Sequence, residues 1–185
     1  MVNQIKWSID QSHSEIAFKI KHLMIASVRG TFKKFDASIY TVEQNFNTAQ
    51  IDLWIDAASI STGDETRDAH LTSEDFLDVK NHKQITFVSD SIEKTDSVSN
   101  YDIWGRLTIK GITKDQLGAT KAGFTVAFEI NRSEWGLTWN KTLETGGVLL
   151  SDEIAISCEI ELSDIGQKDL KMELEPSSDA KSINP

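Results

Sequence analysis

A strict alternation of apolar and polar residues is the feature that most limits what this chain can fold into. In its clearest run, Ile154, Ile156 and Cys158 lie on one face, while Glu153 and Glu159 lie on the other. The same period of two occurs around residues 15–21, 49–57, 101–109 and 124–130. Strands with one apolar and one polar face are typical of antiparallel sheet. The sequence therefore predicts an all-β domain.

Turn signals between these runs narrow the choice of architecture. Arg29-Gly30, Lys110-Gly111 and Gly146-Gly147 interrupt the alternation, and no long helical period occurs in the chain. Several strands with polar outer faces indicate a sandwich or a barrel. We favour an antiparallel barrel, because closure removes the unpaired strand edges that an open sheet has to protect.

Residues 61–84 form an unusually long connection between two of the predicted strands. Strands in such domains are normally joined by about two to five residues, and longer connections often carry function. A short helical segment is expected here, with Thr66 or Ser73 as its cap. We expect this segment to cover one end of the barrel.

The same connection contains a polar cluster beside apolar residues. We expect Arg67 and Asp68 to face a mouth of the barrel, with Leu71 and Phe76 packed beneath them. Arginine offers paired planar donors, so it could hold an anion or a ligand head group. A local ion pair that merely holds the loop explains the same residues, and the sequence leaves both interpretations open.

Length and charge restrict the classes of function. The 185 residues most simply form one domain over residues 1–163, followed by a polar, partly disordered tail over residues 164–185. A formal net charge of −10 disfavours binding to nucleic acids and to anionic membrane surfaces. There is no segment resembling a signal peptide and no apolar stretch of about twenty residues. We therefore expect a cytoplasmic protein without stable membrane insertion.

No motif for metal binding or catalysis occurs in the sequence. Zinc sites need three or four convergent ligands, and no short pair such as His-x-His or Cys-x-x-Cys is present. A Gly-x-Ser-x-Gly elbow is also absent. The single cysteine, Cys158, lies in an apolar alternation, which predicts a buried thiol and excludes an internal disulfide. We therefore assign no catalytic residue, metal or cofactor.

Aromatic and aliphatic residues on the predicted inward faces indicate an apolar interior. A barrel of about eight strands has an interior that either fills with side chains or holds one slender ligand. His22 shares the parity of its apolar neighbours, so alternation directs it inward, where a polar group requires a hydrogen bond or a ligand. Dense core packing is the alternative for each apolar residue. The predicted apolar ligand-binding residues are Phe18, Ile20, Phe32, Leu53, Phe87, Phe128, Trp135 and Trp139.

Short motifs along the chain occur in a characteristic order. They are Trp7-Ser8-Ile9-Asp10 with His13-Ser14, Val28-Arg29-Gly30-Thr31-Phe32, the run from Arg67 to Asp78, Ile85-Thr86-Phe87, the run from Gly105 to Gly111, and Asn131-Arg132 with Trp135-Gly136-Leu137. This ordered combination resembles the YceI-like family, also called polyisoprenoid-binding proteins. The resemblance covers about residues 5 to 163.

The resemblance implies an extended lipocalin-like β-barrel with a narrow apolar cavity for an isoprenoid chain or a similar amphiphile. It also implies that polar residues near the mouth meet the head group of the ligand, and His13, His22, Arg67 and Asp68 are the candidates for that role. We therefore predict a non-enzymatic protein that binds, transports or sequesters a long-chain lipid. The alternative is an enzyme that modifies a lipid or quinone through His13, His22, Asp68 and His70, with or without a metal.

Members of the YceI-like family often form dimers, and the resemblance therefore implies a homodimer. Trp54 and Trp104 have outward parity on their predicted strands, which makes them candidate interface residues.

Overall fold

The computed structural model describes residues 3–23, 26–95, 100–121, 125–144 and 146–164. Within these ranges the chain forms twelve β-strands and one α-helix, α1 (Glu65–Thr72), with short 3-10 helices at Ala57–Ser59 and Arg132–Trp135. Residue 124, the first of the alternation predicted around residues 124–130, and the tail beyond residue 164 lie outside the described residues. The strands are β1 (Gln4–Ile9), β2 (Glu15–His22), β3 (Ala26–Phe32), β4 (Phe35–Val42), β5 (Asn45–Asp56), β6 (Ile60–Ser61), β7 (Gln84–Lys94), β8 (Tyr101–Ile109), β9 (Ile112–Lys121), β10 (Thr125–Asn131), β11 (Leu150–Glu159) and β12 (Leu162–Asp164).

All of these strands belong to one sheet, and every neighbouring pair in it is antiparallel. The strand order is β12-β1-β4-β5-β7-β8-β9-β10-β11-β2-β3-β6. The prediction of an all-β antiparallel domain is confirmed. The described helix lies within the 61–84 connection, as predicted.

Short connections between opposite ends of the strand order show that the sheet curls into a barrel. Strand β3 lies near one end of the order and β4 near the other, yet only Lys33 and Lys34 join them. The backbone N–H of Asp56 donates to the carbonyl of Lys34 at 2.9 Å, which fastens this turn to the end of β5. The two edges of the sheet must therefore lie close to each other. Side chains from all twelve strands face one interior, so the predicted barrel is confirmed.

The helix of the long connection begins with a carboxylate cap. Oδ1 of Asp64 accepts a hydrogen bond from the backbone N–H of Arg67 at 3.0 Å, so α1 begins at Glu65. Neither Thr66 nor Ser73 caps the N-terminus of this helix, and Ser73 is instead its C-terminal cap. The hydroxyl of Ser73 donates to the carbonyl of His70 at 2.7 Å and helps to end the helix.

The residues after α1 close one end of the barrel. Phe76 and Leu77 are buried, and Leu77 belongs to the main core cluster. Leu71 packs against the same cluster, as expected from the sequence. At the edge of this cap, Nζ of Lys110 donates to the carbonyl of Glu74 at 2.8 Å. The long connection is therefore a lid that is anchored to the sheet. Within the described ranges, no helix has the length and apolarity needed to cross a membrane.

Candidate functional site

The barrel encloses a cavity of about 390 Å³, here called the lumen, whose lining is almost wholly apolar. Phe18, Phe32, Leu53, Phe87 and Phe128 all face the lumen, yet each is only partly buried. In a filled core, inward phenylalanines would be enclosed by neighbouring side chains at close packing. Their accessible surface faces the open interior instead. The barrel is therefore hollow, and the alternative of dense core packing does not describe these residues.

Two glycines keep the lumen wide. Gly30 on β3 lies opposite Phe18 on β2, and a Cβ atom at Gly30 would lie 2.4 Å from Cζ of that ring. A Cβ atom at Gly105 on β8 would lie 2.5 Å from Cζ of Phe87 on β7. Because neither glycine has a side chain, each ring lies against the neighbouring strand. A larger residue at Gly30 would force the Phe18 ring to move, and a larger residue at Gly105 would also meet the backbone carbonyl of Val88 at 2.4 Å.

Six residues that line the lumen, from the end of β2, from α1 and from the segment that leads into β11, are here called the rim. Two members from α1 show that the lumen reaches the surface here, because the side chains of Arg67 and His70 are 40% and 39% exposed while they also line the cavity. The ring of His70 lies edge-on to Trp139 at a centroid distance of 4.8 Å. On the neighbouring strands β11 and β2, Leu150 pairs with His22. The rim consists of His22, Arg67, His70, Trp139, Leu149 and Leu150.

Arg67 and Asp68 both bind Thr62 and make no ion pair with each other that the described contacts record. Nε of Arg67 donates to Oγ1 of Thr62 at 2.8 Å. Asp68 accepts from the backbone N–H of Thr62 at 2.9 Å and from its hydroxyl at 2.5 Å. Thr62 therefore holds both side chains. The local ion pairs of this loop are those of Arg67 with Asp64, at 3.8 Å, and of His70 with Asp75, at 2.9 Å, so the interpretation of a loop held by its own ion pairs stays open. Arg67 is left facing the lumen, and Asp68 is turned to the backbone.

Arg132 is a buried cation in the wall beneath the rim. Its Nη1 donates to the carbonyls of Leu137 and Trp139, the latter at 2.9 Å, and its Nε donates to the carbonyl of Ser151 at 2.8 Å. Nη2 lies 3.3 Å from Asp152. Burial lowers the pKa of Arg132, and the charge of Asp152 partly opposes this. The guanidinium thus ties the segment that carries Trp139 to the start of β11.

Nine of the twelve predicted site residues line the lumen. Whether they contact a ligand stays a prediction. These residues are Phe18, Ile20, His22, Phe32, Leu53, Arg67, Phe87, Phe128 and Trp139.

The other three predicted residues do not line the lumen, and their proposed placement is corrected. His13 lies in the turn after β1 with its side chain 65% exposed. The carboxylate of Asp68 is held by Thr62 instead of facing the mouth. Trp135 follows β10 in a 3-10 helix, where its side chain is almost fully buried in the core and its Nε1 donates to the carbonyl of Leu107 at 3.3 Å. Strand alternation does not orient His13, Asp68 or Trp135, because none of the three lies in a strand or directly continues one.

The predicted ligand-binding residues did not include Arg132, Leu149, Leu150 or His70, although His70 was considered with Arg67 and Asp68 as part of a polar cluster and as a residue of the enzyme alternative. For Arg132, the sequence contains a signal that could have identified it as a lining residue. Arg132 continues the inward parity of Phe128 and Ile130, so alternation alone directs its side chain toward the interior. His70 offered no such signal, because its position depends on how the helix docks against Trp139.

Cys158 is buried in the wall, as predicted. Its side chain borders the lumen, and burial raises the pKa of the thiol to about 12. The thiolate is the reactive form of cysteine, so at neutral pH this side chain behaves as a small apolar group.

His13 forms a separate exposed cluster on the outside of the barrel. Its Nδ1 lies 3.1 Å from Oδ2 of Asp10, and the donor atoms of Asp10, His13 and Glu161 all lie within 4.8 Å of one another. The hydrogen bond from Ser12 and then that with His13 lower the pKa of Asp10, while the bond to Asp10 and the charges of Asp10 and Glu161 raise the pKa of His13. The cluster joins the β1–β2 turn to the residue before β12.

We expect a proton titration of His13, followed by NMR of its imidazole, to show a midpoint above that of an ordinary histidine. Because folding raises this pKa, the pair stabilises the fold at low pH and loses that contribution as the pH rises through the raised value. The Asp10→Asn variant should shift the midpoint downward, since the hydrogen-bonded carboxylate is the main cause. The same midpoint in both proteins would contradict this assignment.

Comparison with known proteins agrees with this architecture. A family model described as the YceI-like domain matches residues 7–162. A UPF0312 protein of Staphylococcus epidermidis is 36% identical over 166 residues, which cover 85% of this chain and 97% of that protein.

Solved structures provide a second comparison. BcnA of Burkholderia cenocepacia is similar with a TM-score of 0.71 and 25% identity, covering 84% of this chain and 99% of that one. A polyisoprenoid binding domain from Saccharophagus degradans is similar with a TM-score of 0.62 at 12% identity, covering 86% of this chain and 98% of that one. The second likeness is one of fold alone.

Proposed function

Because the chain belongs to the YceI-like family and encloses an open apolar lumen, we propose that it binds a long-chain amphiphile of isoprenoid or fatty type inside the barrel. The observation that carries this proposal is the hollow interior, in which inward phenylalanines expose their rings to empty space. Burying a methylene group in such a lumen contributes about 0.8 kcal/mol. Ten of them would contribute about 8 kcal/mol before the ordering costs of binding are deducted.

The chemistry of the lumen supports a role in binding or sequestration. Its lining is apolar, which suits a hydrocarbon chain and offers little to polarise a reacting bond. The fold shared with the Saccharophagus degradans domain, described as polyisoprenoid binding, is compatible with an isoprenoid chain. The Cys158 thiol on the wall is uncharged at neutral pH and does not supply a nucleophile.

The enzyme alternative required His13, His22, Asp68 and His70 to act together. The structure separates them. His22 and His70 line the lumen, whereas His13 lies exposed beside Asp10 and the carboxylate of Asp68 is occupied by Thr62. No observation on the described residues favours this alternative over binding.

The homodimer remains a prediction. Trp54 on β5 and Trp104 on β8 are exposed on the outer face of the barrel, as their parity predicts. Exposure leaves them available for a partner copy and does not by itself establish one.

Native mass spectrometry tests the proposed function directly. Protein purified without detergent from its own cells is expected to carry a lipid at about one molecule per chain. After removal of that lipid, titration with a series of saturated chains should show affinity that increases with chain length, because each added methylene buries more apolar surface. A protein that neither retains a lipid nor binds any chain of the series would contradict the proposal.

A further inference from the structure

The lumen has a charge pattern opposite to that of the whole protein. The chain carries a formal net charge of −10, yet no aspartate or glutamate among the described residues lines the lumen. The ionised groups on its lining are Arg67 and Arg132, accompanied by the imidazoles of His22 and His70. With 29 acidic residues in the chain, an acid-free lining is a selective arrangement. The side chains on the lining that carry a formal charge are therefore both cationic.

Arg132 is not available to a ligand. Three backbone carbonyls and Asp152 occupy its donors, and it is buried behind the segment that it holds. Its positive charge contributes to the electrostatic potential inside the lumen. Its hydrogen bonds, however, are made to backbone carbonyls of the protein. Arg67 is the cation that can meet a bound molecule.

The guanidinium of Arg67 has one occupied edge and one open edge. The edge formed by Nε and Nη2 donates to Thr62, at 2.8 Å to the hydroxyl and 3.3 Å to the carbonyl. On the edge formed by Nη1 and Nη2, the recorded contact is with Asp64, whose Oδ2 lies 3.8 Å from Nη1. That carboxylate is 49% exposed and too far away for a hydrogen bond. Thr62 therefore fixes the guanidinium while leaving a fork of two nitrogens, the geometry that binds carboxylate and phosphate through paired hydrogen bonds.

His22 adds a second polar group to the rim. Its imidazole lines the lumen and is half buried, and no hydrogen bond to it is recorded among the described residues. His70, in contrast, already has Asp75 at 2.9 Å from its Nε2. His22 can thus donate to an oxygen atom of a ligand without breaking a bond within the protein.

We infer that the rim selects long-chain amphiphiles with an anionic head group, a carboxylate or a phosphate, which the open edge of Arg67 binds with His22 as a second donor. This inference rests on the proposed function, because it assumes that the chain of the ligand occupies the lumen. It adds the chemical class of the head group and the residue that recognises it. Neutral amphiphiles of the same chain length would bury the same apolar surface but leave the fork of Arg67 unused.

The test compares ligands that differ only in the head group. Delipidated protein is titrated at pH 8 with hexadecanoic acid, hexadecyl phosphate and hexadecan-1-ol, each in competition with an uncharged fluorescent long-chain probe. We expect at least one anion to bind about 10- to 100-fold more tightly than the alcohol, as charge-assisted hydrogen bonds do. A preference for only one of the two anions would identify the head group and support the inference.

The Arg67→Gln variant should reduce that preference to less than about threefold. The Arg106→Gln variant is the matched control, because it removes the same charge from an exposed position on β8, where Arg106 faces Asp90. It is expected to keep the full preference.

Equal affinity for the acids and the alcohol in the unmodified protein would overturn the inference while the proposed function stood. A full preference in the Arg67→Gln variant would overturn the role of Arg67. Failure of all three ligands and of the probe to bind would instead contradict the proposed function.

Discussion

Replacing Ala37 by phenylalanine is expected to weaken the binding of a long-chain lipid about 200-fold without unfolding the protein. Ala37 lies on β4 opposite Leu53, and both side chains border the lumen. An added ring at this position would project into empty space, where it displaces roughly four methylene groups of a bound chain. At about 0.8 kcal/mol for each methylene, this amounts to some 3 kcal/mol of lost binding. Titration of the delipidated variant with a saturated long chain measures the effect.

The neighbouring residue supplies a matched control. Ser38 follows Ala37 on the same strand and is exposed on the outer face. The Ser38→Phe variant adds the same ring to the other face of the sheet, so we expect its lipid affinity to be unchanged. If Ala37→Phe folds and binds as tightly as the unmodified protein, the ligand does not lie in this lumen.

The second large effect concerns stability. The Arg132→Met variant is expected to lower the free energy of unfolding by about 3–5 kcal/mol, because it leaves the carbonyls of Leu137, Trp139 and Ser151 without their buried donor. For a domain of this size, such a loss corresponds to a decrease in melting temperature of roughly 6–20 °C. Chemical denaturation monitored by tryptophan fluorescence measures it.

A variant of Asp152 separates the contribution of the ion pair with Arg132 from that of the hydrogen bonds between Arg132 and backbone carbonyls. Its side chain is 64% exposed, so its ion pair with Arg132 is largely screened by solvent. The Asp152→Asn variant should therefore cost less than about 1 kcal/mol. A comparable loss for Asp152→Asn and Arg132→Met would show that the ion pair, and not the bonds to backbone carbonyls, holds the segment below the rim.

Local periodicity was sufficient to predict the wall of the barrel. Ile154, Ile156 and Cys158 alternate with polar residues, and these three line the lumen as their parity requires. The same rule placed His22 inside and Trp54 outside. It works because successive side chains of a strand point to opposite faces, so one well-defined inward residue determines the orientation of its neighbours.

The rim could be predicted only in part. Arg67 and Asp68 were both expected to face the mouth, but only Arg67 lines the lumen, while the carboxylate of Asp68 binds Thr62. His13 was grouped with the other histidines, although it lies outside the barrel beside Asp10. These residues belong to turns and to a helix, where the direction of a side chain depends on capping and docking instead of on parity.

By itself, the sequence determined the all-β class, the inward and outward faces of the strands, and the presence of a covered apolar interior. Only the tertiary structure decided that this interior is hollow, that glycines such as Gly30 let the phenylalanine rings lie against the wall, and that Thr62 holds Arg67 on the lining of the lumen. The reason is physical: alternation is a property of neighbouring residues along one strand. The width of a lumen and the meeting of rim residues depend instead on strands and loops that are distant in the chain.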